Sequence, residues 1–526
     1  MLAAAAAMAM SATSAQADFD LHILHINDFH SRVESISRFD STCRPDDEAE
    51  GKCFGGIARL VAAIAAKRAE LAGANLLVLD AGDQFQGSLF YATYKGAVEA
   101  EFAEAIGFDA MAVGNHEFDD GPAALAAFLD AVSFPVLSGN IDVSGEPLLA
   151  GRIPATLVLE RGGERIGIVS ALAADTPETS SPGDGVVFSD EIESLTAQVA
   201  ALEAEGIDKI IALTHVGLPL DMRIAEQVPG IDVIVGGHSH SFLSSTDDGA
   251  AGPYPMMLTG PSGAPVAVVT AYAYGKYLGH LTVTFDDAGQ ITATEGAPML
   301  LDASVPPDAA TLARVAELGG PIEALKTEVV AETTAPIDGD RTSCRAGECE
   351  MGNLVADAML DRVKDQGIQI AIQNGGGLRA SIDAGPVTMG EVLTVLPFQN
   401  TLATFQLTGT QIIAALENGV SEVEDGAGRF PQVAGLKYVW APSAPAGERI
   451  LEVMVEGPDG FAPIEPEKIY GVVSNNFMRS GGDGYAVFKD GLNAYDFGPG
   501  LEEVVAAYLA NAKGYTPYLD GRIAAQ

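Results

Sequence analysis

The feature that most constrains this chain is a set of five short polar loops, each directly after an apolar run. Five of the eight histidines lie in these loops. The loops occupy residues 27–30 (NDFH), 80–83 (DAGD), 114–119 (GNHEFD), 214–215 (TH) and 236–240 (GGHSH). Ligands of open α/β sheets bind beyond the carboxyl ends of the strands. We therefore predict that the five loops converge on one site.

The stretches around these loops alternate between two kinds of pattern. Short apolar runs predict strands at 21–26, 76–79, 110–113, 166–169, 210–213 and 233–235. Alanine-rich stretches at 58–71, 98–106 and 191–205 predict crossover helices. This alternation is typical of an α/β fold with buried, layered strands. Residues 272–294 alternate in strand fashion and predict the far edge of the same domain.

The length of 526 residues favours two or three domains. Pro306 and Pro307 precede a helical pattern at 308–326, which Gly319-Gly320-Pro321 interrupts. We predict a first domain over 18–305, a linker helix over 306–326 and a second domain over 327–526. In the second domain, the pattern predicts a helix at 352–363 and a strand at 368–373.

Charge excludes two classes of partner. The chain has 29 basic and 72 acidic residues, for a formal charge of −43. Such a chain repels nucleic acid polymers and anionic membranes. A small phosphate ester stays a candidate partner, because salt screens surface charge beyond about 8 Å and a buried site can hold its own cations.

The first seventeen residues have the pattern of a targeting segment. An apolar run over 1–10 is followed by small polar residues and by Ala15-Gln16-Ala17, the A-x-A pattern of signal-peptide cleavage. A basic start is missing, so two interpretations stay open: a truncated signal peptide, which we favour, and a disordered alanine-rich start. No later apolar run reaches the roughly 18 residues of a membrane span. We therefore expect a soluble periplasmic or secreted protein without a transmembrane segment.

The four cysteines lie two by two in polar loops. Local pairing costs the least loop-closure entropy, which favours disulfides Cys43–Cys53 and Cys344–Cys349. A zinc knuckle is the alternative, but neither pair has C-x-x-C spacing. Two disulfides agree with an oxidising compartment.

The donor atoms of the five loops suit divalent metal ions. Two carboxylates, one amide oxygen and four imidazoles form a mixed nitrogen and oxygen set, which favours zinc or manganese, with cobalt, magnesium and iron as further candidates. The two D-x-H and H-x-H segments predict paired ligands, because residues two apart point the same way in extended backbone. We divide the ligands between two ions as follows: Asp28, His30 and His240 for one, Asn115, His215 and His238 for the other, with Asp83 bridging.

Taken together, the loops resemble the signature of calcineurin-like metallophosphoesterases. Residues 55–60 (GGIARL) and 275–279 (GKYLG) narrow the resemblance to the 5′-nucleotidase and UDP-sugar hydrolase family, from Leu21 to the C-terminus. The resemblance implies a four-layer α/β sandwich followed by a second α/β (α+β) domain that recognises the nucleotide. It also implies a catalytic role for His116, outside the metal-ligand set, with Asp119 orienting its ring.

The same resemblance implies a substrate site in the second domain. Phe398 and Phe477 would sandwich a nucleobase and Asp483 would accept a ribose hydroxyl, although periodicity alone would make both phenylalanines core residues. The substrate-binding residues implied are Arg345, Asn374, Gly376, Arg379, Phe398, Phe477 and Asp483.

The expected activity is hydrolysis of nucleoside 5′-monophosphates to nucleoside and phosphate. Nucleoside di- and triphosphates and UDP-sugars are further candidate substrates. One alternative is a 2′,3′-cyclic-nucleotide 2′-phosphodiesterase with 3′-nucleotidase activity, which shares this pair of domains. An alternative from another class is a protein that binds nucleotide or metal without turnover.

Overall fold

The computed structural model describes residues 18–36, 40, 43, 45–396, 398, 400–496 and 498–526. The predicted signal peptide at 1–17 lies outside the described residues. Within the described part of the chain, no helix is long and apolar enough to cross a membrane.

The first part of the chain alternates strands with helices, as the apolar runs predict. Its strands are β1 Phe19–Ile26, β2 Asn75–Asp80, β3 Ala110–Ala112, β4 Val136–Leu137, β5 Ile141–Asp142, β6 Thr156–Arg161, β7 Glu164–Leu172, β8 Val187–Phe188, β9 Ile210–His215, β10 Val233–Gly236, β11 Met256–Thr259, β12 Pro265–Val269, β13 Tyr277–Phe285 and β14 Ile291–Leu300. Its helices are α1 Pro45–Ala49, α2 Ile57–Glu70, α3 Leu89–Tyr94, α4 Ala97–Ile106, α5 Pro122–Ala131, α6 Thr176–Thr179, α7 Glu191–Ala204, α8 Leu218–Gln227 and α9 Ala309–Lys326.

These strands divide between two six-stranded sheets. The first has the order β14-β13-β1-β2-β3-β4, and the second has the order β11-β12-β10-β9-β7-β6. Strands β1 to β4 run parallel, whereas β13 and β14 add to the outer edge in antiparallel fashion. Strand β14 is therefore the edge that the alternating pattern of 272–294 predicts.

The two sheets pack face to face with helices on their outer sides. Leu21 of β1 and Leu213 of β9 belong to one apolar cluster between the sheets. On the outer side of the first sheet, Leu24 of β1 packs with Leu60 of α2 and Phe102 of α4. Helices α7 and α8 cover the second sheet. The result is the four-layer α/β sandwich that the resemblance implies.

Helix α9 differs from the prediction in one respect. The predicted interruption at Gly319-Gly320-Pro321 is wrong, because α9 continues through Pro321 to Lys326. Val315, Leu318 and Ile322 are buried in the core formed with the first sheet and its helices. This packing outweighs the hydrogen bond that a proline cannot donate.

The second part of the chain forms a mixed α/β arrangement after α9. Its strands are β15 Val329–Thr333, β16 Ile370–Asn374, β17 Gly385–Thr388, β18 Leu402–Thr408, β19 Pro431–Ala434, β20 Leu436–Trp440, β21 Ile450–Gly457, β22 Gly460–Pro463, β23 Ile469–Asn475, β24 Leu492–Tyr495 and β25 Ile523–Ala525. Its helices are α10 Arg341–Cys344, α11 Glu350–Val363, α12 Met389–Val395, α13 Gly409–Gly419, α14 Asn476–Arg479 and α15 Leu501–Ala512.

A five-stranded sheet of order β19-β16-β23-β18-β24 is the centre of this second part. Helices α11 and α15 cover one side of it, with Leu354 and Leu509 fully buried. Helix α13 covers the other, where Leu416 packs beside Ile372 of β16. The segment Gly375–Gly377 follows β16 directly, at the carboxyl end of that strand.

Both predicted cysteine pairs are disulfides in the structure. Cys43 is bonded to Cys53, and Cys344 is bonded to Cys349. The second disulfide joins residues five positions apart and encloses Arg345.

Candidate metal centre

The five polar loops meet where the carboxyl ends of both sheets come together. Loops after β1, β2 and β3 come from the first sheet, and loops after β9 and β10 come from the second. Parallel strands present their carboxyl ends at the same edge, so each sheet concentrates its loops there. The centre therefore belongs to both sheets at once.

One group of donor atoms contains Asp28, His30 and His240. Their ligand atoms lie within 4.8 Å of one another. The Nε2 atoms of the two histidines are 2.9 Å apart. His240 Nε2 is 3.3 Å from Asp28 Oδ1, and His30 Nε2 is 3.8 Å from the same oxygen.

A second group contains Asp83, His215 and His238, again with ligand atoms within 4.8 Å. His215 Nε2 is 2.9 Å from Asp83 Oδ2. Asn115 contributes its amide oxygen, which lies 2.9 Å from His238 Nδ1. His215 is held from its other side, where Nδ1 donates to the carbonyl oxygen of Ala81 at 2.7 Å.

Asp83 lies between the two groups. Its Oδ2 atom is 2.9 Å from His215 in one group and 3.8 Å from His30 in the other. The other oxygen, Oδ1, accepts a hydrogen bond from the backbone N–H of His116 at 2.9 Å. The carboxylate is thus fixed by one oxygen and directs the other at both groups.

The donor set fits divalent cations. Asp83 Oδ2 is fully buried and makes no hydrogen bond of good geometry within the described part of the chain. A buried carboxylate oxygen without a hydrogen bond costs several kcal/mol unless a cation compensates it. Asp28, buried equally deeply, lies beside the same histidines. Imidazole, carboxylate and amide oxygen together suit such ions.

The backbone reason for the paired ligands differs from the prediction. Asp28, His30, His238 and His240 are not extended; their φ angles are 51°, 50°, 78° and 47°. Left-handed backbone is strained for such residues and persists only where surrounding contacts impose it. Here the Asp28 N–H donates to Gly82 O at 2.9 Å and the His30 N–H donates to Asp83 O at 3.0 Å. The loops after β1 and β2 therefore hold each other in this shape.

Electrostatics keeps Asp28 ionised. Burial opposes its charge, but His240 and His215 outweigh burial and lower the pKa of Asp28 to about 2. The backbone N–H of His238 also donates to this carboxylate at 3.0 Å. Asp28 therefore carries negative charge across the whole physiological pH range.

His116 and Asp119 form a pair beside the donor groups. His116 Nδ1 is 2.6 Å from Asp119 Oδ2, and the Ser180 hydroxyl donates to Asp119 Oδ1 at 2.8 Å. Burial disfavours a charged imidazole, but Asp119 and Asp83 raise the pKa of His116 to about 9. The His116 ring lies edge-on to His30, with 5.1 Å between ring centroids. The pair thus places a carboxylate-supported imidazole at the centre.

Two residues of this centre were missed by the sequence analysis. Glu117 is fully buried, and its carboxylate accepts backbone hydrogen bonds from Gly114, Asp83, Gln84 and Phe85. Asn27 donates to Asp28 Oδ2 at 2.6 Å. Asn27 directly precedes Asp28 and Glu117 directly follows His116. This adjacency was the sequence signal that could have predicted a role for both.

The predicted substrate residues also come together, in a patch around residues 426–428. Arg345 donates to Gly426 O at 3.1 Å, and the Gly376 N–H donates to Gly428 O at 2.7 Å. A Cβ atom on Gly376 would lie 2.8 Å from Gly428 Cα, so this approach requires glycine.

Side chains complete this patch. Asn374 donates to Asp483 Oδ2 at 2.7 Å. The Arg379 guanidinium lies over the Phe398 ring, 5.4 Å from its centroid. Phe477 is 42% exposed. Its ring packs over Gly482, beside Asp483. Periodicity alone predicts a core position for Phe477, and that prediction is wrong.

The second part of the chain also reaches the donor groups. Asp496 is largely buried; burial raises the pKa of Asp496, whereas Arg479 and His240 lower it. Arg479 Nε lies 3.2 Å from Asp496 Oδ1. Tyr495, next to it, has a pKa raised by burial and by Asp119. Tyr495 at the end of β24 and Asp496 after it are therefore within electrostatic range of Asp119 and His240, respectively.

Two family models match this chain, one for each part, and proteins of known name are similar to it over nearly its whole length. The family model for calcineurin-like phosphoesterases matches residues 21–242, and that for the 5′-nucleotidase C-terminal domain matches residues 329–490. A 5′-nucleotidase of Diplobatis ommata is 39% identical over 96% of this chain and 90% of its own length. A human 5′-nucleotidase is 38% identical, over 96% of this chain and 91% of its length.

Two solved structures are also similar to this chain over nearly its whole length. A 5′-nucleotidase precursor from Thermus thermophilus is 42% identical with a TM-score of 0.63, covering 96% of this chain and 99% of that one. An NAD nucleotidase from Haemophilus influenzae is 27% identical with a TM-score of 0.78, covering 97% of this chain and 100% of that one.

Proposed function

Because this chain belongs to the 5′-nucleotidase family of metallophosphoesterases, we propose that it is an exported enzyme that hydrolyses nucleoside 5′-monophosphates to nucleoside and phosphate. Family membership makes it a hydrolase of the metallophosphoesterase family and favours this activity over the alternative of a binding protein without turnover. Two divalent ions held by the donor residues of the five loops would supply Lewis acidity and would lower the pKa of a bound water.

The observation that carries the proposal is the position of Asp83 between two groups of imidazole and carboxylate donors. We propose Asp28, His30 and His240 as ligands of one ion, and Asn115, His215 and His238 as ligands of the other, with Asp83 shared. The distances of 2.9 to 3.8 Å between donor atoms support this division. Zinc and manganese suit the set best, because imidazole nitrogen and carboxylate oxygen occur together.

His116 is proposed to act on the phosphoryl group. Asp119 accepts from Nδ1, which leaves Nε2 as the atom to donate to a phosphoryl oxygen or to the leaving oxygen. This role requires the protonated ring, in which both nitrogens donate. Asp119 thus fixes the direction of the imidazole.

The patch around residues 426–428 is proposed to hold the nucleoside. Phe477 offers an exposed ring face for a base, and Asp483 offers a carboxylate to ribose hydroxyls. Arg345 and Arg379 are cations close enough to this patch to meet phosphate oxygens. Phe398 is proposed as the second stacking ring, and Asn374 and Gly376 as residues that shape the site.

Export is the proposed localisation, to the periplasm or the medium. Two disulfides support it, because disulfides persist in oxidising compartments. The proposed signal peptide at 1–17 supports it further.

The test is phosphate release by the full-length protein after chelation and reloading with zinc, manganese or cobalt. AMP, UDP-glucose and 2′,3′-cyclic AMP are compared at equal concentration. We expect AMP to be cleaved fastest, and no activity before reloading. Cleavage of 2′,3′-cyclic AMP with none of AMP would instead identify the cyclic phosphodiesterase alternative.

A further inference from the structure

Two histidines outside the candidate metal centre meet on the outer face of the first sheet. His22 lies on β1, and His280 lies on the neighbouring strand β13. In the strand register His22 is opposite Thr282, so His280 is its diagonal neighbour on the same face. Both rings are partly exposed. Their Nδ1 and Nε2 atoms, respectively, are 3.2 Å apart.

This separation suits chelation of one metal ion. Bonds of about 2.0 to 2.1 Å from two imidazole nitrogens 3.2 Å apart would make an angle of about 100° at the ion, close to tetrahedral. The ring planes are tilted by 37°, and the centroids are 5.5 Å apart. Neither ring therefore blocks the other by face-to-face stacking.

Carboxylates border the same face. Glu70 lies in the last turn of α2, where Lys67 lowers the pKa of its carboxyl most and the charges of both histidines lower it further. Glu70 pairs with Lys67 at 2.9 Å and is exposed, so its carboxylate can turn toward an ion at little cost. Glu295 of β14 is opposite Thr282 in the strand register and therefore projects from the same face as the two imidazoles.

The charge state of the rings suits metal binding. Burial, Lys67 and His22 together lower the pKa of His280. A neutral imidazole at neutral pH has the lone pair that a metal ligand needs. Thr282 Oγ1, at 3.1 Å from His22 Nδ1, fixes the direction of that ring from the side.

We propose that His22 and His280 form a separate binding site for a divalent transition-metal ion such as zinc, toward which the exposed Glu70 carboxylate turns as third ligand on binding. The site is distinct from the centre at the loops, because His22 precedes the end of β1 by four residues, about 13 Å of strand. His25, on the opposite face of β1, is buried with its Nε2 atom 2.8 Å from the Tyr254 hydroxyl and takes no part. A bound ion would link β1, β13 and α2.

The test is the zinc content of the full-length protein at equilibrium dialysis against excess zinc. Wild type is compared with His22→Asn and His280→Asn, and we expect each variant to bind one zinc fewer per chain. AMP hydrolysis by both variants should equal that of wild type, because neither residue belongs to the centre at the loops. The control is Asp287→Asn, an exposed change on the loop after β13 that touches neither imidazole and should keep the full zinc content.

Two further measurements separate the outcomes. In Asp83→Asn, zinc at the loops should fall while the one-zinc difference caused by His280→Asn persists. Glu70→Gln, an exposed change that does not threaten folding, should weaken the additional site about tenfold or more. Equal zinc content in wild type and both histidine variants, at equal melting temperature in chelator, would overturn the proposal whatever the activity toward AMP.

Discussion

His116 is tied to two different carboxylates: its ring nitrogen Nδ1 is 2.6 Å from Asp119, and its backbone N–H donates to Asp83 at 2.9 Å. The first contact orients the imidazole, and the second fixes the carboxylate that lies between the two donor groups. One residue therefore couples the proposed acid to the proposed metal bridge. Substitutions of its side chain and of Asp83 should have separable effects, because the backbone contact survives any change of the His116 side chain.

His116→Asn is expected to lower kcat for AMP by about 100- to 10,000-fold, the usual range for loss of a general acid or base. The metal content should stay at the wild-type value, because the backbone N–H still holds Asp83. Steady-state kinetics and metal analysis of the same preparation measure both quantities. Asp119→Asn should give a smaller loss of kcat, and a loss of metal in either variant would contradict the assigned roles.

Asp83→Ala is expected to abolish activity and to lower the metal content, because both donor groups lose the same carboxylate. The exposed residue Asp287 provides a control, in which Asp287→Ala should change neither quantity. Elemental analysis after dialysis, together with AMP turnover, makes the comparison. Full turnover with unchanged metal stoichiometry in Asp83→Ala would rule out the bridging position.

Phe477→Ala should raise KM for AMP by about 5- to 150-fold, since a stacked base contributes about 1 to 3 kcal/mol. Turnover of a phosphate ester without a base, p-nitrophenyl phosphate, should not change. Phe461 offers a matched control, because it is 39% exposed against 42% for Phe477 and lies on β22. An equal effect of Phe461→Ala on KM would show that the loss is not specific to the base.

Asp232→Asn should stabilise the protein at alkaline pH. Burial raises the pKa of Asp232 from about 3.8 in the unfolded chain to about 8 in the folded protein. The folded state thus prefers the protonated acid, whose stabilisation is full below pH 3.8 and is lost as pH rises through about 8. An asparagine keeps the oxygen that accepts from Ile210 N at 2.8 Å and never ionises.

Melting temperatures at pH 5 and pH 9 test this prediction. The gain of Asp232→Asn over wild type should be larger at pH 9, by several degrees. The exposed Asp459→Asn variant should show no such dependence. A gain that is equal at both pH values would contradict the assigned ionisation.

The candidate site was more predictable than the geometry that builds it. Each donor residue follows an apolar run, and a strand end is a local property that a short window of sequence reveals. Which sheet a strand joins depends on distant contacts, such as those that bury Leu21 of β1 with Leu213 of β9. The runs at 21–26 and 210–213 are both short and rich in Ile and Leu, and neither indicates which sheet it joins, so the division into two sheets could not be read from them.

Backbone conformation was the second feature that could not be predicted from the sequence. Nothing in the sequence around Asp28 and His30 indicates a left-handed backbone, and the spacing of two residues predicts an extended one. The left-handed angles arise from hydrogen bonds to Gly82 and Asp83, which are distant in sequence. The continuity of α9 through Pro321 has a similar origin, because buried neighbours in other elements decide it.

The joint origin of the loop ligands in both sheets has a consequence for folding. Neither sheet supplies all seven proposed ligands by itself: Asp28 and His30 need His240 from the second sheet, and Asp83 needs His215. Catalytic competence can therefore arise only after the two halves of the sandwich have docked. Recovery of activity during refolding should accordingly report that late assembly step, and a proteolytic fragment that retains one sheet should be inert however well it holds its shape.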